Sequence, residues 1–355
     1  MTATATATAT AMRAVLFPGD RKVTLDERAI PEPGPGEALI KTQASAICRS
    51  DMGLYTGNSA IVGGDTAGKG LIVPGHEPAG EVIAVGAGAE WVKVGDRVAG
   101  YLPIGCGHCE HCRAGYFMLC AEWKCLGFDV DGGDADYHVL PERNCLLLPD
   151  QISYVAGALM TDMIGTQYHT QKVLGVTAAN TVAVFGLGPM GAAAVLIAKA
   201  LGARVIAVDV LDARLEMARE LGAAEVVNSA TEDVLARVKA LVGDRGVDIA
   251  IDCSGAPAAQ NAALDIAAKR GAVAFVGESR STQINPSDQI IRKLLTVVGG
   301  WYFPVSEWDE ICRFVLQHEI PVESLVTHRF SLDEAAEAFR AFDARETEKA
   351  VFIWN

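Results

Sequence analysis

Two hydrophobic patterns divide this chain of 355 residues. Up to about Tyr154, short apolar runs alternate with Gly- and Pro-rich stretches, which is typical of a β-rich domain with long loops. From about Ile164 onward, apolar strands alternate with helical patterns. Such alternation is typical of a parallel, doubly wound sheet, so the sequence predicts a mixed α/β protein.

The second region is predicted to contain the six strands of the parallel sheet. They cover residues 181–185, 204–209, 225–228, 247–252, 272–276 and 295–299. After Gly300 the pattern returns to helix, strand and helix. This last segment of about fifty residues is too small to form a stable domain by itself. We therefore expect residues 12–163 and 300–355 to form one domain and residues 164–299 the other.

Composition narrows the classes of function. The net charge of −14 argues against nucleic-acid binding, because a polyphosphate backbone requires a basic face. The best candidate for a membrane span, residues 192–210, is interrupted by Lys199 and Arg204, so we expect no membrane partner. The opening Thr-Ala repeat lacks the pattern of a signal peptide. We expect residues 1–11 to be a disordered tail and the protein to be cytoplasmic.

A glycine-rich turn follows the first predicted strand of the sheet. It reads Gly186-Leu187-Gly188-Pro189-Met190-Gly191 and matches G-x-G-x-x-G between a strand and a helix. The glycines allow a tight turn, a close approach of backbone to a pyrophosphate, and close packing of helix on strand. Asp209 ends the next strand. A carboxylate at this position accepts hydrogen bonds from the ribose hydroxyls of the cofactor and repels a 2′-phosphate. The pattern predicts NAD rather than NADP; the alternative is a tight turn without a ligand.

Four cysteines form a C-x2-C-x2-C-x7-C series, at Cys106, Cys109, Cys112 and Cys120. Four thiolates complete a tetrahedron, so we expect a closed, structural zinc site. The alternatives are a disulfide pair or free thiols. A second metal site needs ligands from distant segments, and Cys48 and His76 are candidates. Taken alone, each is more often a buried thiol or a hydrogen-bonded core histidine.

The order of these motifs resembles the zinc-dependent medium-chain dehydrogenase family, which includes alcohol, polyol and threonine dehydrogenases. The resemblance covers residues 12–355. It rests on Cys48-Arg49-Ser50-Asp51, Gly75-His76-Glu77, the strand at 94–98, the four-cysteine loop, Thr161-Asp162 and the glycine turn. It implies a GroES-like, β-rich catalytic domain and a Rossmann domain with a six-stranded parallel sheet.

The resemblance also implies a catalytic zinc held by Cys48, His76 and Asp162, with Glu77 beside it. This set departs from the two cysteines and one histidine of alcohol dehydrogenase and resembles the subfamily that uses Asp. Two roles for Glu77 stay open. Either it exchanges onto the metal when water or substrate leaves, or it orients the site from outside the coordination sphere.

Further site residues follow from the same resemblance. Ser50 resembles the hydroxyl that passes the alcohol proton toward the ribose; the alternative is a hydroxyl that caps the adjacent helix. Gly53 stands where a histidine commonly continues this relay. Arg49 resembles the family's pyrophosphate-binding arginine; otherwise it is a surface charge. Thr166 is expected against the nicotinamide, and Arg214 in the cofactor site.

The resulting hypothesis is a zinc-dependent oxidoreductase that transfers a hydride between an alcohol and NAD, giving the ketone or aldehyde. A secondary alcohol or polyol is favoured, with two zinc ions per chain, one catalytic and one structural. The resemblance further implies a homodimer or homotetramer. Two alternatives are a zinc-free quinone or enoyl reductase, whose relatives lack both sets of metal ligands, and a non-catalytic NAD-binding protein.

Overall fold

A computed structural model describes residues 10–57 and 71–354. The chain divides into two compact units. The first unit consists of Met1–Asp162 and Val326–Asn355, and the second unit is Met163–Leu325. The expected tail over residues 1–11 falls almost wholly outside the described residues, but Ala11 already begins a strand. Among the helices of the described ranges, none is long and apolar enough to cross a membrane.

In the first unit, short strands are joined by long loops. Strands β1 to β9 cover Ala11–Gly19, Lys22–Ala29, Glu37–Ala46, Glu77–Val85, Arg97–Gly100, Pro103–Ile104, Lys124–Cys125, Tyr137–Pro141 and Cys145–Leu147. Helices α1 to α3 cover Asp51–Tyr55, Glu110–Arg113 and Tyr154–Leu159, and a π-helical turn, Met160–Ile164, follows α3. The β-rich region predicted from the sequence is confirmed.

The second unit alternates strands with helices. Strands β10 to β15 cover Thr181–Phe185, Arg204–Asp209, Glu225–Asn228, Val247–Asp252, Ala267–Phe275 and Thr296–Gly299. Helices α4 to α9 cover Gly165–Val173, Pro189–Ala200, Asp212–Glu220, Val234–Val242, Pro257–Ile266 and Trp308–Gln317. The strands pair in parallel in the order β12-β11-β10-β13-β14-β15. The doubly wound, six-stranded sheet is therefore confirmed.

Both faces of this sheet are covered, which explains its apolar strands. Val182 and Val184 of β10 lie in one core cluster with Val195 of α5. Ala183 and Phe185, which alternate with them, lie in the cluster on the opposite face. A strand buried on both faces has a nearly continuous apolar sequence, and this is the signal by which β10 is recognisable.

The chain re-enters the first unit after residue 325. Strand β16 (His328–Phe330), helix α10 (Ala335–Asp343) and strand β17 (Ala350–Ile353) follow. The large sheet of this unit has the order β16-β17-β3-β4-β5-β9, with β8 also paired to β3. Antiparallel pairing of β17 with β3 aligns Val351 with Ala46. Strand β17 thus pairs with β3, the strand that leads to Cys48.

Residues 300–325 lie in the second unit, which moves the return point from the expected residue 300 to Val326. Polar and aromatic contacts between α9 and α4 account for this. Tyr168 donates a hydrogen bond to Glu310 at 2.6 Å, and its ring centroid is 4.8 Å from that of Phe314. Lys172 also binds Glu310, at 2.7 Å. Helical periodicity alone does not reveal which unit such a helix joins.

Candidate metal centre and cofactor site

Four potential metal ligands from distant parts of the chain lie together in the first unit. Cys48, His76, Glu77 and Asp162 each offer one ligand atom, and these atoms all lie within 4.8 Å of one another. Asp162 Oδ2 is 3.8 Å from the Cys48 sulfur and 4.0 Å from His76 Nε2. One sulfur, one nitrogen and carboxylate oxygens are donors that zinc takes, so the cluster fits this ion.

The backbone of the first unit explains why these residues meet. Cys48 follows β3, and His76 immediately precedes β4. Since β3 and β4 are antiparallel and Ala46 pairs with Glu77, the two segments lie side by side. Asp162 lies on the π-helical turn after α3, and such turns are frequent at functional sites because the extra residue redirects the side chains.

Asp51 orients two of the candidate ligands. Its Oδ1 lies 2.9 Å from His76 Nδ1, and its Oδ2 accepts a hydrogen bond of 2.8 Å from the Cys48 backbone N–H. Burial lowers the pKa of His76, but the Asp51 carboxylate outweighs burial and raises that pKa well above its usual value. With Nδ1 engaged by Asp51, His76 Nε2 faces the cluster. No role for Asp51 had followed from the sequence.

Lys349, a residue that the sequence analysis missed, holds Glu77. Its ammonium group donates to both carboxylate oxygens at 2.7 Å, and both side chains are buried. Burial raises the pKa of Glu77 to about 7, although Lys349 acts to lower it. The two residues are 272 positions apart, so no local pattern could have revealed the pair.

Ser50 lies at the edge of the metal cluster. Its hydroxyl oxygen is 3.4 Å from His76 Nε2. It directly precedes α1, but its side chain makes no capping hydrogen bond there. The geometry therefore favours a role at the cluster over the helix-capping alternative. Gly53 lies within α1 and offers no side chain to extend a proton path.

A further buried carboxyl group, Asp134, lies behind the turn that carries His76. It accepts a hydrogen bond of 2.6 Å from the Ser45 hydroxyl. Burial and, to a smaller extent, the charge of Asp51 raise the pKa of Asp134 to about 7. Gly75 has φ +92°, and a Cβ at this position would overlap the Asp134 side chain. The turn before His76 consequently requires glycine.

The four-cysteine loop forms a second cluster of ligands. The sulfurs of Cys106, Cys109, Cys112 and Cys120 lie within 4.8 Å of one another, and none of the cysteines forms a disulfide. The backbone N–H of Cys109 points at the Cys106 sulfur, and that of Cys112 at the Cys109 sulfur, each at 3.4 Å. Backbone hydrogen bonds lower the pKa of Cys106 to about 6, which favours a thiolate. The loop fits a closed tetrahedral zinc site.

The glycine turn of the second unit has the shape that a dinucleotide requires. Gly186 has φ +80°, and a Cβ there would lie 2.5 Å from the Ser254 Cβ. A Cβ on Gly191 would overlap the Gly186 carbonyl oxygen. The turn follows β10 at the carboxyl edge of the sheet, where the strand order reverses between β10 and β13. Helix α5 begins at this turn without a side-chain cap. Its unpaired N–H groups are available to a phosphate.

Asp209 ends β11 and braces the glycine turn. One of its oxygens accepts a hydrogen bond of 2.6 Å from the Leu187 N–H, and the other accepts from Val210 and Leu211. The Arg214 guanidinium is 3.9 Å away. A carboxylate accepts about four hydrogen bonds, so one position is left for a ribose hydroxyl. The bracing role was not foreseen from the sequence.

A cavity of about 510 Å³ opens beside Asp209 in the second unit. It lies next to the ends of β11 and β12 and between α7 and α8, and its lining includes Val210, Ser229, Leu235 and Ala259. Because the lining is mostly apolar, the cavity could hold the planar base of a dinucleotide. This cavity could not be predicted from the sequence, because its lining residues share no motif.

Two predicted cofactor residues belong to different units. Thr166 is buried on α4, and its hydroxyl oxygen has no hydrogen-bond partner in the described part of the chain. A buried hydroxyl without a partner fits contact with a ligand. Arg49 is exposed in the first unit, next to Cys48. Contact of either residue with the cofactor stays a prediction.

Comparisons with known proteins agree with these sites. Residues 34–150 match the model of the alcohol dehydrogenase GroES-like domain, and residues 189–317 match that of the zinc-binding dehydrogenase. The chain is 35% identical to YphC, an uncharacterised zinc-type alcohol dehydrogenase-like protein of Escherichia coli K12, covering 96% of this chain and 98% of that protein. It is 34% identical to the L-threonine 3-dehydrogenase of Pyrococcus abyssi, covering 93% and 94%.

Solved structures show the same architecture. The alcohol dehydrogenase TADH from Thermus sp. ATN1 superposes with a TM-score of 0.88 at 29% identity, covering 96% of this chain and 99% of that one. An alcohol dehydrogenase of E. coli CFT073 complexed with NADH gives a TM-score of 0.87 at 27% identity, covering 98% and 100%.

Metal-ligand clusters in one unit and a dinucleotide turn in the other define a nicotinamide-linked metal oxidoreductase. The chain belongs to the zinc-dependent medium-chain dehydrogenase family. The predicted family, the GroES-like and Rossmann folds, and the class of function, an NAD-linked zinc oxidoreductase acting on alcohols, are confirmed.

Proposed function

We propose that this protein oxidises a secondary alcohol or polyol to the ketone with NAD, and catalyses the reverse reduction. The observation that carries the proposal is the convergence of Cys48, His76 and Asp162 within ligand distance of one another. A zinc-free quinone or enoyl reductase has no use for such a cluster. The relative that acts at carbon 3 of threonine oxidises a secondary hydroxyl, which supports this substrate class.

Cys48, His76 and Asp162 would hold the catalytic zinc, and their three donors leave one position of a tetrahedron for substrate oxygen. When bound, zinc supplies a Lewis acid that lowers the pKa of the alcohol, and NAD supplies the hydride acceptor. The chain's own task is orientation. Asp51 fixes the His76 ring and the Cys48 backbone, so these donors stay in place through turnover.

Glu77 acts from outside the coordination sphere in this proposal. Both of its oxygens are bound by the Lys349 ammonium at 2.7 Å. Leaving that ammonium buried without a partner would be costly, so exchange of Glu77 onto the metal is disfavoured. Its negative charge then balances the buried Lys349 ammonium beside the metal cluster.

Ser50 would accept the proton of the alcohol while it gives up its own hydroxyl proton, in the first step of proton release. Its hydroxyl lies beside His76 Nε2, at the open edge of the cluster. Because Gly53 has no side chain to take the proton further, the proton that Ser50 gives up passes next to water. Replacing Ser50 by Ala should lower kcat and leave the KM for NAD unchanged.

Asp209 selects NAD over NADP. Its carboxylate is fixed by three backbone N–H groups and cannot turn away from a 2′-phosphate without losing them. A buried negative charge at this position repels a second one. We expect kcat/KM for NAD to exceed that for NADP; equal values would contradict the assignment.

Each chain binds two zinc ions, one at each cluster, in this proposal. Elemental analysis of the purified enzyme should find about two zinc per chain, since both donor sets are complete. One equivalent, or none, would show that a cluster does not bind the metal.

The function itself is tested by NADH formation at 340 nm with a panel of secondary alcohols, polyols and primary alcohols. Activity with at least one secondary alcohol or polyol, lost on removal of zinc and restored by zinc, supports the proposal. Preference for primary alcohols would correct the substrate class. Activity only with quinones or enoyl substrates would contradict the reaction.

The protein assembles as a homodimer or as a tetramer of such dimers. Strand β15 ends the six-stranded sheet and, within the described chain, pairs only with β14. Exposed apolar side chains accompany it, at Ile291, Leu294 and Val297. An edge of this kind pairs readily with a second copy. Light scattering should show a dimer or tetramer. The substitution Val297→Asp should shift the assembly equilibrium toward the monomer.

A further inference from the structure

Asp252 ends β13 and is fully buried beside the glycine turn. Each of its oxygens accepts two hydrogen bonds. Oδ1 accepts from the Ser254 backbone N–H at 3.0 Å and from the Ser254 hydroxyl at 2.6 Å. Oδ2 accepts from the Gly255 N–H and from the Gln260 side-chain amide, both at 3.1 Å. All four acceptor positions of this carboxylate are therefore used.

The loop that Asp252 organises packs directly against the glycine turn. A Cβ on Gly186 would meet Ser254, so turn and loop are in contact through backbone and a single small side chain. A Cβ on Gly277 would overlap the Gly255 nitrogen, which places the loop after β14 equally close. Three chain segments thus meet closely, mainly through backbone atoms.

Gln260 extends the network to this third segment. Its amide nitrogen donates to Asp252 and also to the Gly277 carbonyl oxygen, at 3.2 Å. Its amide oxygen accepts a hydrogen bond from the Thr282 hydroxyl. The loops that follow β13 and β14 are consequently tied to one buried carboxylate.

We propose that Asp252 is a positioning residue for the cofactor. By fixing the Ser254–Gly255 backbone against Gly186, it sets the width of the crevice in which the dinucleotide binds, and thereby the affinity for NAD and NADH. The proposal rests on the NAD-linked function of the family. Asp252 itself is enclosed by its four donors and acts through the loop, not by touching the reacting atoms.

Substitution by Asn tests this sharply because Asn has the same shape. In either orientation of the amide, its nitrogen faces at least one N–H donor that cannot become an acceptor: the Ser254 backbone N–H on one side, or the Gly255 N–H and the Gln260 amide on the other. The loop must move to relieve this conflict. The KM for NAD should rise while kcat at saturating NAD stays within about twofold, because the metal cluster lies in the first unit.

The experiment is direct titration of NADH binding by fluorescence, which needs no turnover and so does not depend on the substrate proposal. Asp252→Asn should raise the Kd about tenfold, which corresponds to 1.4 kcal/mol. Asp248→Asn is the matched control. It makes the same change at the other end of β13, where Asp248 accepts from the Thr181 N–H and from Arg245. Its Kd should stay within twofold of wild type.

An unchanged Kd in Asp252→Asn, or an equal rise in both variants, would overturn the proposal. Should Asp252→Asn fail to fold, Ser254→Ala and Gln260→Leu each remove one donor and keep the carboxylate. Each is then expected to raise the Kd about threefold, and wild-type Kd values in both would overturn the proposal in the same way.

Discussion

The two metal-ligand clusters of the first unit are built in opposite ways. The four cysteines come from one loop of fifteen residues, 106–120, and their sulfurs receive hydrogen bonds from the loop's own backbone. The other cluster draws Cys48, His76 and Asp162 from three distant segments, and buried carboxylates surround it. The first is specified by local sequence, whereas the second exists only after the sheet has formed.

This difference indicates what each cluster is for. A loop whose four ligands are all thiolates leaves no coordination position for a substrate, so a metal bound there would only stabilise the loop. The second cluster places charged groups in a buried site, where they are costly unless paired. Asp51 and Lys349 provide that pairing. Such an arrangement is expected where charge is needed for chemistry.

Removing a ligand of the second cluster should have the largest effect. Cys48→Ser is expected to lower kcat/KM by roughly 10⁴-fold or more, since the Lewis acid that activates the alcohol is lost. The zinc content should fall by one ion per chain, while the Kd for NADH stays within twofold. Cys145→Ser serves as the control, because this buried thiol lies outside both clusters. Near-normal turnover in Cys48→Ser would remove the basis for a catalytic zinc here.

Breaking the buried ion pair should come next. Lys349→Met leaves Glu77 without its partner and is expected to lower the free energy of unfolding by about 3–5 kcal/mol. Urea denaturation measures this. The double variant Lys349→Met with Glu77→Gln should recover much of the loss, because no unpaired charge is then buried. If the single variant is as stable as wild type, the pair is not the brace that the geometry indicates.

In the four-cysteine loop, Cys109→Ser should also remove one zinc per chain, but with a smaller effect on chemistry. We expect kcat to fall less than about tenfold, equivalent to under 1.4 kcal/mol of activation energy. The loop itself should become sensitive to proteases, because its fold depends on the metal. Loss of activity as complete as in Cys48→Ser would show that the clusters are not functionally distinct.

The smallest expected effect is on how the stability of the folded state depends on pH. The pKa of Asp134 is raised by burial to about 7, above the ordinary value of 3.8 in the unfolded chain, so the folded state binds the extra proton between these values. Its stabilising contribution is full below about pH 4 and is lost as the pH rises through about 7. Asp134→Asn should flatten this part of the stability profile and make the protein more stable than wild type at pH 8, because no carboxylate is then ionised in the buried site.

Asp136→Asn is the matched control, two residues further on. Burial acts to raise the pKa of Asp136, but hydrogen bonds from Arg13 outweigh this and lower it. Its contribution is therefore present at neutral pH and is lost as the pH falls, so this substitution should flatten the acidic part of the profile instead. Identical unfolding midpoints for Asp134→Asn and wild type from pH 5 to 8 would refute the prediction.

The sequence predicted the features that are encoded locally. The strands β10 to β13 are found at the predicted residues, since buried parallel strands have nearly continuous apolar sequences. The glycine turn and the four-cysteine loop were recognisable because each lies within one short segment. The set Cys48, His76 and Asp162 was accessible only through the family resemblance, since its members are far apart in the chain.

What the sequence did not reveal depends on the tertiary fold. The continuous helical stretch from α3 through the π-helical turn to α4 carries Asp162 and Thr166 but was not predicted, as its Gly and Thr residues weaken the helical signal. Lys349 gains its role from Glu77, a partner that only folding brings near. Asp252 binds residues close to it in sequence, but its role depends on the contact of their loop with Gly186, which only folding creates. The boundary at 326 depends on which unit α9 packs against.

The central claim is that Cys48, His76 and Asp162 hold a zinc ion with one position open to substrate. X-ray diffraction at the zinc absorption edge tests it most directly, using crystals of the zinc-loaded enzyme. We expect two anomalous peaks per chain, one of them about 2.3 Å from the Cys48 sulfur and about 2.0–2.2 Å from His76 Nε2 and an Asp162 oxygen. A single peak at the four-cysteine loop, with no metal between Cys48, His76 and Asp162, would contradict it.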